Sequence, residues 1–407
     1  MHPKDLRIED YTYELPDDRV AKYPLEARDS SRLLIYKEGA LNDDVYRNIA
    51  EHIPQGTLLV FNQTKVVHAR LLFRKDTGGV IEVFCLEPHE QYTDVPTAMM
   101  QKGKVWWKCM IGGASKWKHG LVPELKHNNP DFTLRAMIVE REPGTFTLEL
   151  SWDDDSLSFA DVLHYAGKVP LPPYLHREAE IADEERYQTI YAREEGSVAA
   201  PTAGLHFTND VMQSLSAKGI DRSFLTLHVG AGTFRPVKSE TMQEHEMHAE
   251  WVEVSRETLA RLITHLETGI VAVGTTSLRT LESLYWIGAK LHNDVNIDFS
   301  GLAVDQWDPY EQNYNTRPTE SLNAILSYMD AKGINRLLTR TRILVAPGYK
   351  MKIVKGLVTN FHQPQSTLLL LVAALIGSDW RKIYEHALAN NYRFLSYGDG
   401  CLLWAGE

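Results

Sequence analysis

Histidines in short loops are the residues of this 407-residue chain best suited to chemistry. Imidazole is the side chain whose ordinary pKa lies nearest neutrality, so it can take up or release a proton at physiological pH. Five such histidines, with one carboxylate placed to orient an imidazole, are the candidate catalytic residues His206, His228, His245, His248, His362 and Glu250. The sequence does not favour one of the five as the general base.

The loops around these histidines are rich in small and helix-starting residues. Residues 199–208, AAPTAGLHFT, lead to Thr208, which is placed to cap a helix. Residues 227–234, LHVGAGTF, are a strand that runs into Gly-x-Gly, without the third glycine of a dinucleotide-binding fingerprint. Small residues let a ligand approach the backbone, and a helix start exposes free N–H groups. Both loops are therefore candidate ligand sites.

A metal centre is not predicted. His245 and His248 are three residues apart with Glu250 nearby, and these ligand types suit zinc or iron. The spacing is not that of His-Glu-x-x-His, and the three cysteines form no Cys-x-x-Cys pair. Such cysteines are typical of a reducing cytoplasm. We expect no signal peptide, and the longest apolar run, 368–376, is a buried helix too short for a membrane span.

Two patterns of secondary structure must position these loops. Residues 57–150 are β-rich, with short strands between turns, which is typical of a small barrel or sandwich. From about residue 161 strands alternate with helices, which indicates an α/β layered structure. We therefore predict an α/β fold in which a discontinuous layered domain (residues 1–60 and 155–407) carries an inserted small β-barrel domain (residues 61–154).

Periodicity and capping residues place the individual elements. The predicted strands include 57–61, 66–73, 80–86, 106–111, 146–152, 223–229, 270–273, 343–346 and 356–359. Helices are predicted to start at Thr208, at 275–277 and at Ser366. The polar stretch 291–332 has no regular pattern and is predicted to be a surface insertion.

The charge distribution leaves two functional classes open. A net charge of −11 disfavours nucleic-acid binding, but residues 101–126 hold six lysines against one acid, and residues 332–355 hold seven basic residues and no acid. These segments are either ordinary solvated faces or phosphate-binding surfaces. Three tryptophans of the first segment are either core residues or platforms for bases.

A dozen segments, in one order over nearly the whole chain, resemble the S-adenosylmethionine:tRNA ribosyltransferase-isomerases of queuosine synthesis. They include APTAGLHFT (200–208), LHVGAGTF (227–234), HEMH (245–248), VGTTS (273–277), NFH (360–362) and SYGD (396–399). The resemblance implies transfer and isomerisation of the S-adenosylmethionine ribosyl group onto 7-aminomethyl-7-deazaguanine in the anticodon loop of tRNA. Epoxyqueuosine would form, with release of adenine and methionine. The resemblance also implies an α/β domain with a β-barrel.

The resemblance further suggests partners and residue roles. S-adenosylmethionine is the expected co-substrate and tRNA the expected partner. The protein is expected to be cytoplasmic and monomeric, with an oligomer left open. The residues assigned to the co-substrate are Pro201, Thr202, Ala203, Gly204, Gly230, Gly274, Thr275 and Thr276. Those assigned to the base or the tRNA are Asn62, Lys65, Arg70, Tyr187, Tyr191, Arg279, Asn360, Asp399, Lys108, Lys116 and Lys118. Glu250 or Asp399 is expected to orient an imidazole.

The chain departs from the family pattern at four positions. Gln63 and Lys65 replace an acid and an arginine, and Gln363 and Gln365 replace a leucine and a lysine. A lysine is a point charge and cannot replace the two-pronged guanidinium. A paralogue with altered substrate and a non-catalytic RNA-binding relative therefore stay open as alternatives. A methyltransferase is disfavoured, because we see no glycine-rich loop after a first strand near the N-terminus.

Overall fold

The computed structural model describes residues 2–74, 79–117, 122–142, 144–228, 237, 239–294, 297 and 300–406. Within these ranges the strands are β1 (Arg32–Lys37), β2 (Ala40–Val45), β3 (Leu58–Asn62), β4 (Thr64–Val66), β5 (Arg70–Arg74), β6 (Val80–Pro88), β7 (Lys104–Gly112), β8 (Glu124–Asn128), β9 (Asp131–Glu142), β10 (Thr145–Trp152), β11 (Gly167–Lys168), β12 (Glu194–Ser197), β13 (Asp221–His228), β14 (Glu250–Ser255), β15 (Ile270–Val273), β16 (Arg336–Thr341), β17 (Gly356–Asn360) and β18 (Gly400–Trp404). The α-helices are α1 (Val95–Met99), α2 (Phe159–Ala166), α3 (Ile181–Arg186), α4 (Asn209–Ala217), α5 (Arg256–His265), α6 (Thr275–Asn293), α7 (Asp308–Glu311), α8 (Pro318–Lys332), α9 (Thr367–Ile376) and α10 (Trp380–Ala389).

The larger sheet has nine strands in the order β16-β14-β13-β3-β15-β17-β18-β1-β2. β13, β3, β15 and β17 are parallel neighbours, whereas β14 runs antiparallel to β13 and β18 runs antiparallel to β17. The carboxyl ends of the four parallel strands therefore meet the amino ends of β14 and β18 at one edge. In open α/β sheets, ligands bind at the carboxyl edge.

Helices cover both faces of this sheet. β3 has the apolar sequence LLVFN because it is buried on both sides. Leu58 and Val60 pack in one core with α5, α6 and α9, whereas Leu59 and Phe61 pack in another core with α4. Alternate side chains of a strand point to opposite faces, so this division is a direct consequence of the pleat. The predicted α/β class is confirmed.

The smaller sheet has seven antiparallel strands in the order β11-β5-β6-β7-β10-β9-β8. β5 and β8, close to its two ends, approach each other, so the sheet curls into a half-barrel. Its concave side buries alternate residues of β7, namely Val105, Trp107 and Cys109. The division of the chain at residues 61 and 155 stays a prediction, although the strands of the half-barrel lie between 70 and 168.

Two sequence predictions about strands are wrong. Residues 343–346 are not a strand, although all four are buried; the strand is β16, whose alternating buried and exposed residues fit an outer strand. The predicted strand 66–73 is two strands, because β4 ends at Val66 and β5 begins at Arg70. The prediction for residues 343–346 is wrong because a short apolar run alone does not distinguish a strand from irregular backbone in a core.

The stretch 291–332 is also not irregular throughout. It holds the end of α6 and the whole of α8, and α8 packs against α6. Leu322, Ile325 and Met329 are fully buried there at helical spacing, while the other positions of α8 are mostly polar. The polar composition therefore hid an amphipathic helix.

The apolar run 368–376 is the buried helix α9, as predicted. Within the described part of the chain, no helix has the length and apolar character that crossing a membrane requires.

Candidate active site

A cavity opens at the edge where the parallel strands of the larger sheet end. It holds about 100 Å³ of space that a water-sized sphere can occupy. The predicted site residues that line it are Pro201, Thr202, Ala203, Gly274, Thr275, Thr276, Arg279, Asn360 and His362. They come from three distant segments of sequence, which the sheet brings together.

The first wall is a short 3-10 helix, residues Thr202–His206, that follows Pro201. The Thr202 hydroxyl donates to Asn360 Oδ1 at 2.8 Å, and Asn360 Nδ2 donates to His206 Nε2 at 3.2 Å. The His206 ring stacks on Tyr46 with centroids 4.2 Å apart. Burial lowers the pKa of His206 to about 3, so the imidazole is neutral at pH 7. His206 thus supports the wall from behind.

Gly204 is required in this wall by close packing. A Cβ at Gly204 would lie 1.9 Å from Tyr191 Oη and 3.0 Å from Thr189 Cγ2. Real Cβ atoms do not come so close to other heavy atoms, so no larger residue fits unless the tyrosine moves. Gly204 itself is buried and does not line the cavity.

The second wall is the start of α6. Gly274 is its N-cap, with φ 92°, and no side chain caps the first turn. The free N–H groups of a helix start carry partial positive charge. One turn later, Arg279 is 4% exposed; it pairs with Glu250, and its Nε donates to the carbonyl of Ile343 at 3.3 Å. Among the described residues, Arg279 Nη2 and Thr276 Oγ1 have no hydrogen-bond partner.

The third wall contains His362, which is the one predicted catalytic histidine that lines the cavity. Its Nε2 is 2.8 Å from Thr359 Oγ1, and its backbone N–H donates to the Tyr384 hydroxyl at 3.0 Å. Burial lowers its pKa to about 3. His362 is therefore a neutral, fixed imidazole at the cavity surface.

Sequence reasoning missed several residues of the cavity wall. They are Tyr174, Ala199, Ala200, Thr359, Phe361, Gln363, Ser366, Leu368, Leu395 and Ser396. Four of them, Ala200, Thr359, Phe361 and Gln363, are adjacent in sequence to predicted residues, so a rule that includes the neighbours of each predicted position would have found them. The other six, among them Tyr174 and Leu395, are placed there by tertiary packing.

The chain matches a known family over most of its length. Residues 8–403 match the model of a family described as queuosine biosynthesis protein. This chain belongs to that family. It is 36% identical over 401 residues to the S-adenosylmethionine:tRNA ribosyltransferase-isomerase of Magnetococcus marinus, covering 98% of this chain and 94% of the relative. It is 37% identical over 404 residues to the protein of that name from Thermotoga maritima, covering 98% and 100%.

One solved structure is also similar. A crystal structure of S-adenosylmethionine tRNA ribosyltransferase from Thermotoga maritima is 27% identical, with a TM-score of 0.45, over 97% of this chain and 99% of that chain. The resemblance inferred from the motifs is confirmed by the family model and by the curated relatives.

The other predicted histidines of this family member lie outside the cavity wall. Burial lowers the pKa of His228 to about 4, and its Nδ1 has no partner among the described residues. Burial also lowers the pKa of His245, whose carbonyl accepts a hydrogen bond from Gln306 at 2.7 Å. His248 lies near Glu87.

The two carboxylates expected to orient an imidazole do something else. Glu250 pairs with Arg279. Asp399 accepts hydrogen bonds from the backbone N–H of Arg32 at 2.9 Å and of Arg393 at 2.8 Å. No hydrogen bond in the described ranges joins either carboxylate to a histidine ring. Glu250 thus fixes the arginine at the cavity, and Asp399 fixes the loop before β18.

Three of the residues assigned to the substrate make structural contacts. Asn62 Oδ1 accepts from the N–H of Leu227, and Asn62 Nδ2 donates to the Leu227 carbonyl, both at 3.1 Å, which ties β3 to β13. Tyr187 is fully buried and packs on Tyr397 at 5.9 Å. Tyr191 packs on Phe61 at 5.0 Å. Tyr187 is therefore a core residue here, whereas Tyr191 is only partly buried.

The predicted cations differ in how far they are neutralised. Lys65 pairs with Glu195 at 2.8 Å, and Arg70 pairs with Glu82. Lys108 lies near Glu87, whose pKa is raised by burial, an effect that Lys108 and Arg340 oppose. Gly230, Lys118 and the Lys116 side chain lie outside the described part of the structure.

The four departures from the family pattern lie in different places. Gln363 lines the cavity. Gln63 Nε2 donates to Thr226 Oγ1 at 3.4 Å, and neither Gln63 nor Lys65 lines the cavity. Gln365 has φ 56° and its N–H donates to the Tyr11 carbonyl at 2.9 Å. Only one of the four changes therefore alters the cavity wall.

Among the described residues no group of three histidine, cysteine, aspartate or glutamate side chains is placed to hold a metal ion.

Proposed function

We propose that this chain transfers and isomerises the ribosyl group of S-adenosylmethionine onto 7-aminomethyl-7-deazaguanine in tRNA. The product is epoxyqueuosine in tRNA, with adenine and methionine released. The observation that carries this proposal is the cavity at the carboxyl edge, because the segments that resemble the family most closely converge on it. Three of them, 200–208, 273–277 and 360–362, supply its walls.

The cavity has the polar and apolar groups that S-adenosylmethionine requires. Thr276 and Arg279 offer unpartnered donors at one place in the wall. Phe361, Leu368 and Leu395 offer apolar surface elsewhere. Ligand pockets typically combine a largely apolar lining with a few placed polar groups.

His362 is proposed to contact the substrate as a neutral hydrogen-bonding imidazole. A group with a pKa of about 3 is a weak base at pH 7, because efficient general bases have pKa values near the working pH. His206 is proposed to hold Asn360 in place through their hydrogen bond. Positioning of this kind lowers the barrier by fixing the reacting groups in one geometry.

The tRNA is proposed to contact the junction between the half-barrel and the strand pair β14–β16, with its anticodon loop at the cavity. The guanidinium of Arg340 lies over the ring of Trp251 at 4.1 Å and is exposed to solvent. Lys108, on β7 of the half-barrel, lies with Arg340 near Glu87. A cation and an aromatic ring together can bind a phosphate and a base. We also propose that the protein acts as a monomer in the cytoplasm.

The test is mass analysis of tRNA carrying the deazaguanine precursor after incubation with the protein and S-adenosylmethionine. We expect epoxyqueuosine in tRNA, with equal amounts of adenine and methionine. Formation of S-adenosylhomocysteine would indicate methyl transfer instead. tRNA binding without adenine release would indicate the non-catalytic relative. His362→Gln should lower the rate, and His292→Gln, an exposed histidine at the end of α6, is the matched control.

A further inference from the structure

Two side chains at the start of α6 that line the cavity, Thr276 and Arg279, have buried donors without a partner among the described residues. α6 is 19 residues long, and no side chain caps its first turn. Arg279, which lines the cavity, is 4% exposed, and its Nη2 has no hydrogen-bond partner in the described residues. The buried Thr276 Oγ1 has none either. A buried donor left without a partner costs about 1–3 kcal/mol, so both groups are poised for a ligand that supplies acceptor oxygens.

The charges here favour a single negative charge on that ligand. Arg279 is already paired with Glu250, which is 6% exposed, so the ion pair has little net charge. The remaining positive field comes from the start of α6, equivalent to about half a unit charge. A monoanionic carboxylate matches this field better than a dianionic phosphate does.

We propose that the first turn of α6, Thr276 and Arg279 bind the α-carboxylate of S-adenosylmethionine. This inference rests on the proposed function, because it takes the co-substrate from there. The carboxylate is the one anionic group of that molecule, and it remains on the released methionine. The same contacts therefore hold the methionyl part both before and after the ribosyl group is transferred.

The experiment compares two ligands that differ only in this carboxylate. Titration calorimetry measures Kd for S-adenosylmethionine and for its decarboxylated analogue, which keeps the adenine, ribose, sulfonium and amine. We expect the analogue to bind at least about tenfold more weakly, since charge-assisted hydrogen bonds are the stronger class. Equal affinities would overturn the inference.

Variants make the assignment specific to α6. Thr276→Val should weaken the binding of S-adenosylmethionine about fivefold. It should leave the affinity for the analogue unchanged, because the analogue has no carboxylate for Thr276 to contact. Arg279→Lys keeps the charge beside Glu250 but removes Nη2, so it should show the same pattern. Thr280→Val is the control: Thr280 lies one turn further along α6, its hydroxyl donates to the Thr276 carbonyl at 3.0 Å, and it does not line the cavity. It should change neither Kd.

The outcomes separate this inference from the proposed function. If Thr276→Val weakens both ligands equally while its thermal unfolding is unchanged, the carboxylate is bound elsewhere, whatever the tRNA assay gives. If the wild-type protein discriminates the two ligands but forms no epoxyqueuosine, the carboxylate site stands and the proposed reaction fails. If epoxyqueuosine forms with no discrimination, the reaction stands and this inference fails.

Discussion

Acid should destabilise this protein through two histidines buried at the cavity. His206 and His362 both have pKa values lowered to about 3 by burial, against an ordinary value near 6.5. In this case the unfolded chain binds protons that the folded chain does not. The stability that depends on neutral imidazole is therefore complete above pH 6.5 and is lost as the pH falls from 6.5 towards 3.

The magnitude follows from the linkage relation. Between pH 6.5 and pH 5, each such histidine lowers the free energy of unfolding by about 1.6 kcal/mol, so the pair contributes about 3 kcal/mol. Most carboxylates titrate below this window, so buried histidines cause most of the loss within it, and His228, whose pKa burial lowers to about 4, adds a similar amount. The loss is a large fraction of a typical stability of about 5–15 kcal/mol.

Urea unfolding at pH 6.5, 6.0, 5.5 and 5.0 measures this loss. His362→Gln should be less stable than wild type at pH 6.5, yet lose about 1.6 kcal/mol less on acidification, because it lacks one of the two imidazoles. The exposed His292→Gln should follow the wild-type curve. A His362→Gln curve parallel to wild type across the four pH values would refute the reasoning.

Three further predictions follow from packing and charge. Glu250→Ala leaves a buried guanidinium unpaired and should lower the free energy of unfolding, measured by chemical denaturation, by about 3–5 kcal/mol. Glu257→Ala removes a side chain that is 79% exposed and should lower it little. Equal losses in the two variants would contradict the buried ion pair. Gly204→Ala should lower the melting temperature by overpacking against Tyr191, and Tyr191→Phe should restore part of the loss; no rescue would show that the hydroxyl is not the obstacle. Arg340→Ala should weaken tRNA binding and should reduce by about 1 the slope of the logarithm of the tRNA binding constant against the logarithm of the salt concentration. Filter binding at several salt concentrations measures this slope, and an unchanged slope would exclude a phosphate contact.

The sequence predicted the fold where residue patterns were local and strong. β3, β15 and β17 lie close to their predicted ranges, since continuous apolar runs between turns are typical of buried parallel strands. α4 and α9 start after Thr208 and Ser366 as predicted, and both side chains cap their helices. α8 was missed, since its apolar positions are spaced among polar ones in a segment that reads as polar overall.

The candidate site was harder to predict than the fold because it depends on side-chain contacts between distant segments. The motifs correctly indicated which loops approach one another, and loops 201–203 and 274–276 do line one cavity. They did not indicate that Glu250 pairs with Arg279, since the two lie 29 positions apart in sequence and on different elements. Glu250 lies close to His245 and His248 in sequence, but the topology of the sheet places its carboxylate beside α6.

His206 and His362 have structural roles although they lie in segments that the family shares. His206 and His362 lie in two of the segments that most resemble the family, yet burial keeps both neutral and each hydrogen-bonds a neighbour, Asn360 or Thr359. A charged imidazole at either place would repel the sulfonium of the proposed co-substrate in a cavity of low polarity. Neutral imidazoles avoid that repulsion and still fix the polar groups of the wall. Burial that weakens these histidines as bases therefore suits them to a cavity that must accept a cationic substrate.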